Sequence, residues 1–293
     1  MPTPKNPFNL ADNTAYQEWR TNKLENYPSK LSELIVEVND PHQLTTAEHT
    51  EILNRCKIAN MVIYVSKLTD EDKTISHDLG KQFGVIELDN NMGADDDGIT
   101  SLTVADTGDK QDYIPYTNRP IHWHTDGYYN TTDKQIRALL LHCVCKAAKG
   151  GENALLDHEI AYILLRDENP EYILALMQPN VMCIPPNVVA GEELRPMSCG
   201  PVFSTDSAGN LHMRYTKRTR SIIWKDNDIT KLAVKFLESI LDNDSKYIFR
   251  ATLQAGQGLL SNNTLHDRSG FDDSREQKRL LYRARYYQRI AGT

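Results

Sequence analysis

The hydrophobic pattern of the chain changes about a third of the way along its length. Before Ile99, we predict helices near Tyr16–Leu24, in a polar stretch, over Thr45–Lys57, which has an apolar face, and over Asp70–Phe83. The β-branched run Met61–Val65 predicts a strand. From Ile99 onward, short apolar runs alternate with turn-forming residues, a pattern that is typical of many short strands. The chain is therefore expected to begin with a helical third and to continue as a β-rich body.

The predicted strands of the second region are short, and only two helices interrupt them. These helices cover His158–Met177, with a break at Pro170, and Ile229–Leu241. Many short strands with few helices between them indicate a barrel or jelly roll, so we predict a mainly β fold with flanking helices (α+β). Because no repeat or linker divides the chain, we expect one domain over residues 1–293. The strands are predicted at Thr100–Val104, Ile121–His124, Ala138–Val144, Asn180–Ile184, Val202–Ser204, Leu211–Tyr215, Ile248–Leu253 and Gly258–Ser261.

Composition and charge narrow the range of partners. The chain has 293 residues, of which 40% are hydrophobic and 25% are charged, as in ordinary globular proteins. Its 33 basic and 40 acidic residues give a net charge of −7, which argues against a general binder of nucleic acid or anionic lipid. We recognise no signal peptide and no run of about 20 apolar residues, so we expect a cytoplasmic protein without a membrane span.

The five cysteines are scattered and odd in number. Cys143 and Cys145 lie two positions apart in an apolar strand, and strand alternation puts them on the same face. Buried free thiols in a reducing compartment explain this pair better than a metal site does, because free cysteines are commonly buried and intracellular thiols stay reduced.

The segment Pro120–Tyr129 carries the first candidate chemistry. Residues two apart in a strand point the same way, so His124 and Asp126 can direct an imidazole and a carboxylate at one point. His122 lies on the same face, which makes three candidate ligands in this segment. For so short a motif, a polar strand end with hydrogen-bonded histidines is the alternative, and on spacing alone it is the more frequent outcome.

A second segment adds a histidine and two arginines. His266 follows an apolar strand start and an asparagine-rich turn, and a later strand of alternating apolar and basic residues places Arg279, Leu281 and Arg283 on one face. Buried arginines are costly unless they meet anions, and a guanidinium matches a carboxylate through two parallel hydrogen bonds. The pattern therefore predicts an acidic ligand inside the fold. The alternative is an exposed strand whose arginines pair with protein carboxylates.

Two histidines and one carboxylate with open positions are the ligand set of non-haem Fe(II) oxygenases. Zinc could use the same three ligands in a hydrolase. The strand with the arginines favours iron, because a zinc hydrolase has no general need for a buried arginine that binds an acidic ligand. Spacing alone still leaves four candidate ligands, His122, His124, Asp126 and His266.

Four stretches of the chain share motifs with one known family. His122–Tyr128 is similar to a Trp-His-x-Asp motif, and Lys149–Leu155 is similar to a Gly-Gly-Asp-Thr segment. Leu265–Phe271 looks like a distal-histidine segment, and Lys278–Arg283 looks like a C-terminal strand with two arginines. Together, over about residues 30 to 290, they resemble the TauD/TfdA family of Fe(II)/2-oxoglutarate-dependent dioxygenases (taurine dioxygenase-like). The order and spacing of the four stretches make the resemblance specific.

The resemblance implies a fold and a set of site residues. The fold is a double-stranded β-helix, a cupin-like jelly-roll core. His124, Asp126 and His266 match the family's metal ligands, which makes His122 a neighbour rather than a ligand. Arg279 matches the arginine that binds the distal carboxylate of 2-oxoglutarate.

Two further positions match less closely. Asn153 stands where the family commonly has a threonine that also contacts the co-substrate, and an amide can still donate a hydrogen bond there. Arg283 matches a position that binds an anionic group of the primary substrate in some members. In other members this position only supports the co-substrate site.

The implied reaction uses Fe(II), 2-oxoglutarate and O2, releases succinate and CO2, and hydroxylates a small organic substrate. Asp126 favours hydroxylation, because related halogenases lack this carboxylate. Two other classes of function stay open. One is a zinc-dependent hydrolase or isomerase on a similar barrel, and the other is a non-enzymatic small-acid sensor.

The substrate side of the site is less defined. Tyr116, Asn118 and Arg119 precede the metal motif and are candidate substrate contacts, although a loop without that role fits the same polar stretch. Residues 186–200 are predicted as a long loop, at a place where the family often has a substrate-covering segment. If Arg283 reaches the pocket, the substrate should carry a carboxylate, sulfonate, sulfate or phosphate. We thus expect a small polar or anionic molecule as partner, and homo-oligomer formation stays open.

Overall fold

In the computed structural model, the run Ala138–Cys145 forms an eight-residue strand. Its side chains alternate between two hydrophobic clusters: Leu139 and Leu141 belong to one, and Leu140 and Val144 belong to the other. All four side chains are buried. A strand that is apolar on both faces must be covered on both sides, and this requirement organises the layers of the fold.

The structure describes residues 6–90, 95–105, 111, 113–189, 191–218 and 222–293. Their α-helices are Asn13–Asn26 (α1), Thr46–Ala59 (α2), Thr74–Gln82 (α3), His158–Glu168 (α4), Pro170–Leu176 (α5) and Asp228–Asp242 (α6). Their strands are Ile35–Glu37 (β1), Met61–Val65 (β2), Thr100–Leu102 (β3), Ile121–His124 (β4), Ala138–Cys145 (β5), Lys149–Gly150 (β6), Asn153–Leu156 (β7), Met182–Ile184 (β8), Asn187–Val189 (β9), Glu192–Arg195 (β10), Ser198–Gly200 (β11), Phe203–Thr205 (β12), Leu211–Met213 (β13), Ile223–Trp224 (β14), Phe249–Ala251 (β15), Gln257–Ser261 (β16), Leu265–Arg268 (β17), Phe271–Asp272 (β18) and Leu280–Tyr286 (β19). None of these helices combines the length and the apolar character that crossing a membrane requires.

Capping residues and a proline determine where two of the predicted helices begin and end. Thr45 begins α2 with a capping box: its side chain accepts a hydrogen bond from the backbone N–H of Glu48, whose carboxylate accepts one from the backbone of Thr45. Pro170 divides the predicted helix into α4 and α5, as expected, because proline fits the first turn of a helix but not its interior.

Six strands form the larger sheet, in the order β1-β2-β16-β5-β19-β3. β1 and β2 run parallel, and all other neighbours run antiparallel. At the centre of this sheet, Leu141 of β5 lies opposite Leu259 on one side and opposite Arg283 on the other. The outer face of the sheet packs against α2 and α3, which contribute Ile52 and Leu79 to the second hydrophobic cluster.

A smaller sheet faces the larger one. Its four strands have the order β15-β7-β17-β4 and are antiparallel throughout. The two sheets enclose part of the main hydrophobic core, to which Leu155 comes from the smaller sheet and Leu259 and Leu281 come from the larger one. Two antiparallel sheets around one core give the jelly-roll arrangement that the strand pattern predicted.

The prediction of a long loop over residues 186–200 is wrong. β9 and β10 pair as an antiparallel hairpin, with Gly191 just before β10 at a φ of +88°. β11 then pairs with β8. These strands escaped prediction because strand preference is largely a measure of packing, and the described part of the hairpin is mostly exposed.

The structure changes the prediction for the cysteines. Cys183 of β8 and Cys199 of β11 lie opposite each other and form a disulfide, a pairing that the sequence did not indicate. Cys143 and Cys145 are free thiols, as predicted. Cys143 is buried, but Cys145 is partly exposed because it is the last residue of β5.

Gly258 lies in β16 between two neighbouring strands, where a Cβ atom would meet the backbone oxygen of Leu141 at 2.4 Å and the ring of Tyr64 at 2.3 Å. We expect Gly258→Ala to lower the free energy of unfolding by about 2 kcal/mol, as overpacking of a core does. Chemical denaturation measures the change. Gly270→Ala is the control, because the Cβ atom there finds its nearest neighbour at 3.5 Å. Equal stability of the two variants would contradict the prediction.

Candidate metal centre

The pairing of β4 with β17 places two histidines side by side. The antiparallel register puts His124 opposite His266, and their ring centroids lie 4.3 Å apart. Asp126 follows β4 by two residues, and its Oδ1 lies 3.5 Å from Nε2 of His124. One potential ligand atom from each of the three residues lies within 4.8 Å of the others. The cluster is largely buried, since the side chains of His124 and Asp126 are 12% and 5% exposed.

His122, the fourth candidate ligand, does not join this cluster. Its side chain is exposed, and its carbonyl oxygen accepts a hydrogen bond from Nδ1 of His124 at 2.9 Å. Nδ1 of His266 donates in the same way to the carbonyl oxygen of Thr264 at 2.9 Å. Donation through Nδ1 leaves Nε2 of both rings as an acceptor, which is the state that a metal-binding imidazole needs.

A divalent metal ion fits this set of donors. Oδ2 of Asp126 is buried and has no hydrogen-bond partner among the described residues, although buried polar atoms are normally paired. Two imidazoles and one carboxylate match the ligands of non-haem iron, and zinc accepts the same donors. The cluster therefore offers both the free acceptor atoms and the negative charge that a divalent cation requires.

Burial and neighbouring charges set the ionisation of the cluster. Burial alone would raise the pKa of Asp126, but the guanidinium of Arg283 at 3.6 Å, together with His124 and Arg285, holds that pKa well below its usual range. Burial and the neighbouring His124 lower the pKa of His266 to about 4. At neutral pH the carboxylate is ionised and His266 is neutral, so neither has to lose a proton before it binds a metal.

Asn263 holds the backbone of Asp126 and was not predicted as a site residue. Its side chain accepts a hydrogen bond from the N–H of Asp126 at 2.8 Å and donates to the carbonyl oxygens of Asp126 and Ile136 at 2.9 and 2.7 Å. The residue is 1% exposed and has a φ of 53°, which asparagine tolerates better than most residues. The sequence signal was the asparagine-rich turn before His266, whose role depends on contacts with a distant segment.

Arg279 and Asn153 line one cavity, together with Gly151 and Leu253. Arg279 is 5% exposed, lies 5.1 Å from the ring centre of Phe271 and makes no ion pair with any described residue. Burial lowers its pKa to about 10, so the guanidinium stays charged at neutral pH. A buried cation that makes no ion pair with a described carboxylate favours binding of an anion from outside the chain.

The remaining candidates lie in different surroundings. Asn153 donates through Nδ2 to the carbonyl oxygen of Asp267 at 2.7 Å, so it is attached to β17. Of the three candidate substrate contacts, Tyr116 is buried in the main core, whereas Asn118 and Arg119 are exposed. The structure therefore does not bring these three side chains together, although they are close in the sequence.

The sequence as a whole matches one family model. The model described as "Taurine catabolism dioxygenase TauD, TfdA family" covers residues 25–285. The chain belongs to the TauD/TfdA family of dioxygenases. This membership confirms the family that the order and spacing of the four motifs indicated.

Two curated relatives of this TauD/TfdA member are both named uridine-5'-phosphate dioxygenase. The one from Amycolatopsis sp is 29% identical over 170 residues, which are 56% of this chain and 60% of that protein. The one from Streptomyces sp is 28% identical over 197 residues, which are 65% of this chain and 70% of that protein. The match thus spans less than two thirds of the length of the first relative.

Solved structures of related folds confirm the predicted architecture. An asparagine oxygenase in complex with Fe(II), 2S,3S-3-hydroxyasparagine and succinate superposes with a TM-score of 0.57 at 10% identity, over 86% of this chain and 93% of that one. The non-haem iron oxygenase OrfP, in complex with Fe, succinate and (3R,4R)-dihydroxy-L-Arg, gives a TM-score of 0.61 at 13% identity, over 84% and 82%. At these identities the likeness establishes the shared jelly-roll fold alone.

Asn263→Ala should weaken metal binding about tenfold, because the hydrogen bonds that fix Asp126 would be lost while every metal-binding atom stays in the chain. Competition with a chelator measures the metal affinity. The control is Asn243→Ala, since the exposed Asn243 side chain bonds, among the described residues, to the carbonyl oxygen of Ser239 at the end of α6. A folded Asn263→Ala variant that binds metal as tightly as the control would contradict the role of Asn263 in holding Asp126.

Proposed function

We propose that the protein is an Fe(II)- and 2-oxoglutarate-dependent dioxygenase that hydroxylates a small, polar or anionic organic substrate and releases succinate and CO2. His124, Asp126 and His266 would bind the iron. The observation that carries the proposal is the meeting of these three side chains around a buried carboxylate oxygen of Asp126 that has no partner among the described residues. Membership of a dioxygenase family and the names of the relatives support the same reaction class.

Arg279 favours 2-oxoglutarate as the co-substrate. Its buried guanidinium lines a cavity and can bind a carboxylate through two parallel hydrogen bonds. A dicarboxylate that extends from the metal to Arg279 would neutralise this charge, and Asn153 lines the same cavity. The related asparagine oxygenase and OrfP structures contain succinate, which is the product that 2-oxoglutarate leaves behind.

In this proposal, iron, 2-oxoglutarate and O2 supply the oxidising chemistry. The chain positions the metal ligands and keeps water away from them. The carbonyl oxygens of His122 and Thr264 orient the two imidazoles, and Asn263 orients Asp126. The main hydrophobic core behind β17 excludes water from that side of the cluster. The presence of Asp126 favours hydroxylation over halogenation.

We infer that Arg283 supports the metal and co-substrate site and does not bind the substrate. Its Nη1 lies 3.6 Å from Oδ1 of Asp126, so its charge already faces a carboxylate of the cluster. There it keeps Asp126 ionised in a buried position. A substrate anion would then need other cationic groups.

Several expectations from the sequence stay predictions. Tyr116, Asn118 and Arg119 remain candidate substrate contacts, with Tyr116 too buried to reach a ligand without rearrangement of the core. A single domain over residues 1–293, a cytoplasmic location and the absence of a nucleic-acid partner also stay predictions, and the oligomeric state stays open.

Addition of 2-oxoglutarate to the anaerobic, Fe(II)-loaded protein should produce a charge-transfer absorption band in the visible. Asp126→Ala should abolish or strongly weaken this band, because the cluster would lose its one carboxylate. Arg55→Ala is the control, since Arg55 pairs with Glu51 on the outer helix α2. A protein that purifies with zinc, gives no band and consumes no oxygen would favour the zinc hydrolase instead.

Arg279→Ala should raise the Kd for 2-oxoglutarate about 30-fold or more, because loss of one partner of a buried charge pair costs about 2 kcal/mol or more. Arg279→Lys keeps the charge without the paired donors, so its Kd should be intermediate. Titration of the same absorption band gives each Kd, and iron content is measured alongside. An unchanged Kd for Arg279→Ala would show that the co-substrate binds elsewhere.

A further inference from the structure

Two adjacent tyrosines lie beside the metal cluster. The ring centroid of Tyr128 lies 6.5 Å from that of His124, and the ring of Tyr129 lies 5.2 Å from that of Tyr128. The hydroxyl of Tyr129 accepts a hydrogen bond from Arg285 at 2.8 Å. The proposed function uses neither tyrosine, although both lie next to the proposed iron site.

The backbone brings Arg218 to the face of the sheet that carries His124. Thr216 lies opposite His124 in an antiparallel bridge, and the N–H of Lys217 bonds to the carbonyl oxygen of the residue before His124 at 2.8 Å. Side chains two positions apart share a face, so Arg218 follows Thr216 onto the side of the metal cluster. Burial raises the pKa of Tyr128, and the charge of Arg218 opposes that rise, as expected for neighbouring groups.

Arg195 approaches the same tyrosines from the β9–β10 hairpin. Its guanidinium lies 5.7 Å from the ring centre of Tyr129. Two proline carbonyl oxygens accept hydrogen bonds from it at 2.7 and 2.8 Å, which orients the guanidinium without neutralising its charge. Just beyond the hairpin, Ser198 donates to the carbonyl oxygen of Asn130 at 2.9 Å, so this end of the hairpin is attached to the segment after Tyr129.

Neither Arg195 nor Arg218 has an acidic partner within the part of the chain that the structure describes. Arg214 adds a third such charge: it is 3% exposed and bonds to backbone carbonyl oxygens, and burial together with the charge of Arg195 lowers its pKa to about 10. Arg283 and Arg285, by contrast, each face an aspartate. Grouped cations without acidic neighbours attract an anion from solution.

We propose that Arg195 and Arg218, beside Tyr128, bind a phosphate monoester group of the substrate. This inference rests on the proposed function and narrows its substrate to phosphorylated small molecules. A phosphate dianion offers three oxygens and can bind two guanidiniums at once, whereas one carboxylate is satisfied by a single bidentate arginine. Both curated relatives are named for a phosphorylated nucleoside, which agrees with this chemistry.

The test uses uridine-5'-phosphate, uridine and inorganic phosphate as probes of the anaerobic protein loaded with Fe(II) and 2-oxoglutarate. Calorimetric titration measures the affinity for each probe. We expect at least one phosphate-bearing probe to bind, with uridine-5'-phosphate binding more tightly than uridine. Arg195→Ala and Arg218→Ala should each weaken phosphate binding about tenfold or more, as loss of a charged hydrogen bond does.

Arg55→Ala removes a positive charge from α2 and should leave the binding of every probe unchanged. The proposal is overturned if neither phosphate-bearing probe binds, if uridine binds as tightly as uridine-5'-phosphate, or if both arginine variants bind phosphate like the wild type. The visible band with 2-oxoglutarate, recorded on the same samples, separates the two proposals. A normal band in the arginine variants shows an intact metal site, whereas a missing band in the wild type counts against the proposed function itself.

Discussion

The antiparallel pairing of β4 with β17 is the contact on which the candidate site depends. It sets His124 directly opposite His266 and leaves Asp126 just past the end of β4, where its carboxylate can turn toward both rings. Asn263, at the start of the same turn that leads into β17, bonds to the backbone of Asp126 on both its N–H and its carbonyl oxygen. A shift of this register by one residue would move His266 to the other face of the sheet.

Buried charges that the protein does not neutralise indicate where ligands bind. Asp126 keeps its charge in a buried position because Arg283 faces it, yet one of its oxygens has no partner among the described residues. Arg279 is equally buried and makes no ion pair with a described residue. Since buried charges are stable only when compensated, both groups point to ligands that the protein itself does not provide.

Among the described residues, the unpaired positive charges of the site lie in two separate places. Arg279 lies in a cavity beside β7, and Arg195 and Arg218 lie beside the tyrosines that follow the metal motif. A dicarboxylate co-substrate and a phosphorylated substrate would thus bind different cationic groups and would not compete for one arginine. The disulfide between β8 and β11 adds a covalent link at the strand that follows the Arg195 hairpin.

The sequence by itself determined the kinds of residue that carry the chemistry and the class of fold. Strand alternation is a local property, so it was enough to align His124 with Asp126 and Arg279 with Arg283, and turn residues between apolar runs were enough to predict the jelly roll. Contacts between distant segments follow from register and packing, which local patterns do not encode. Only the tertiary structure therefore gave Asn263 its role, turned Arg283 toward Asp126, paired Cys183 with Cys199 and replaced the predicted loop at 186–200 by strands.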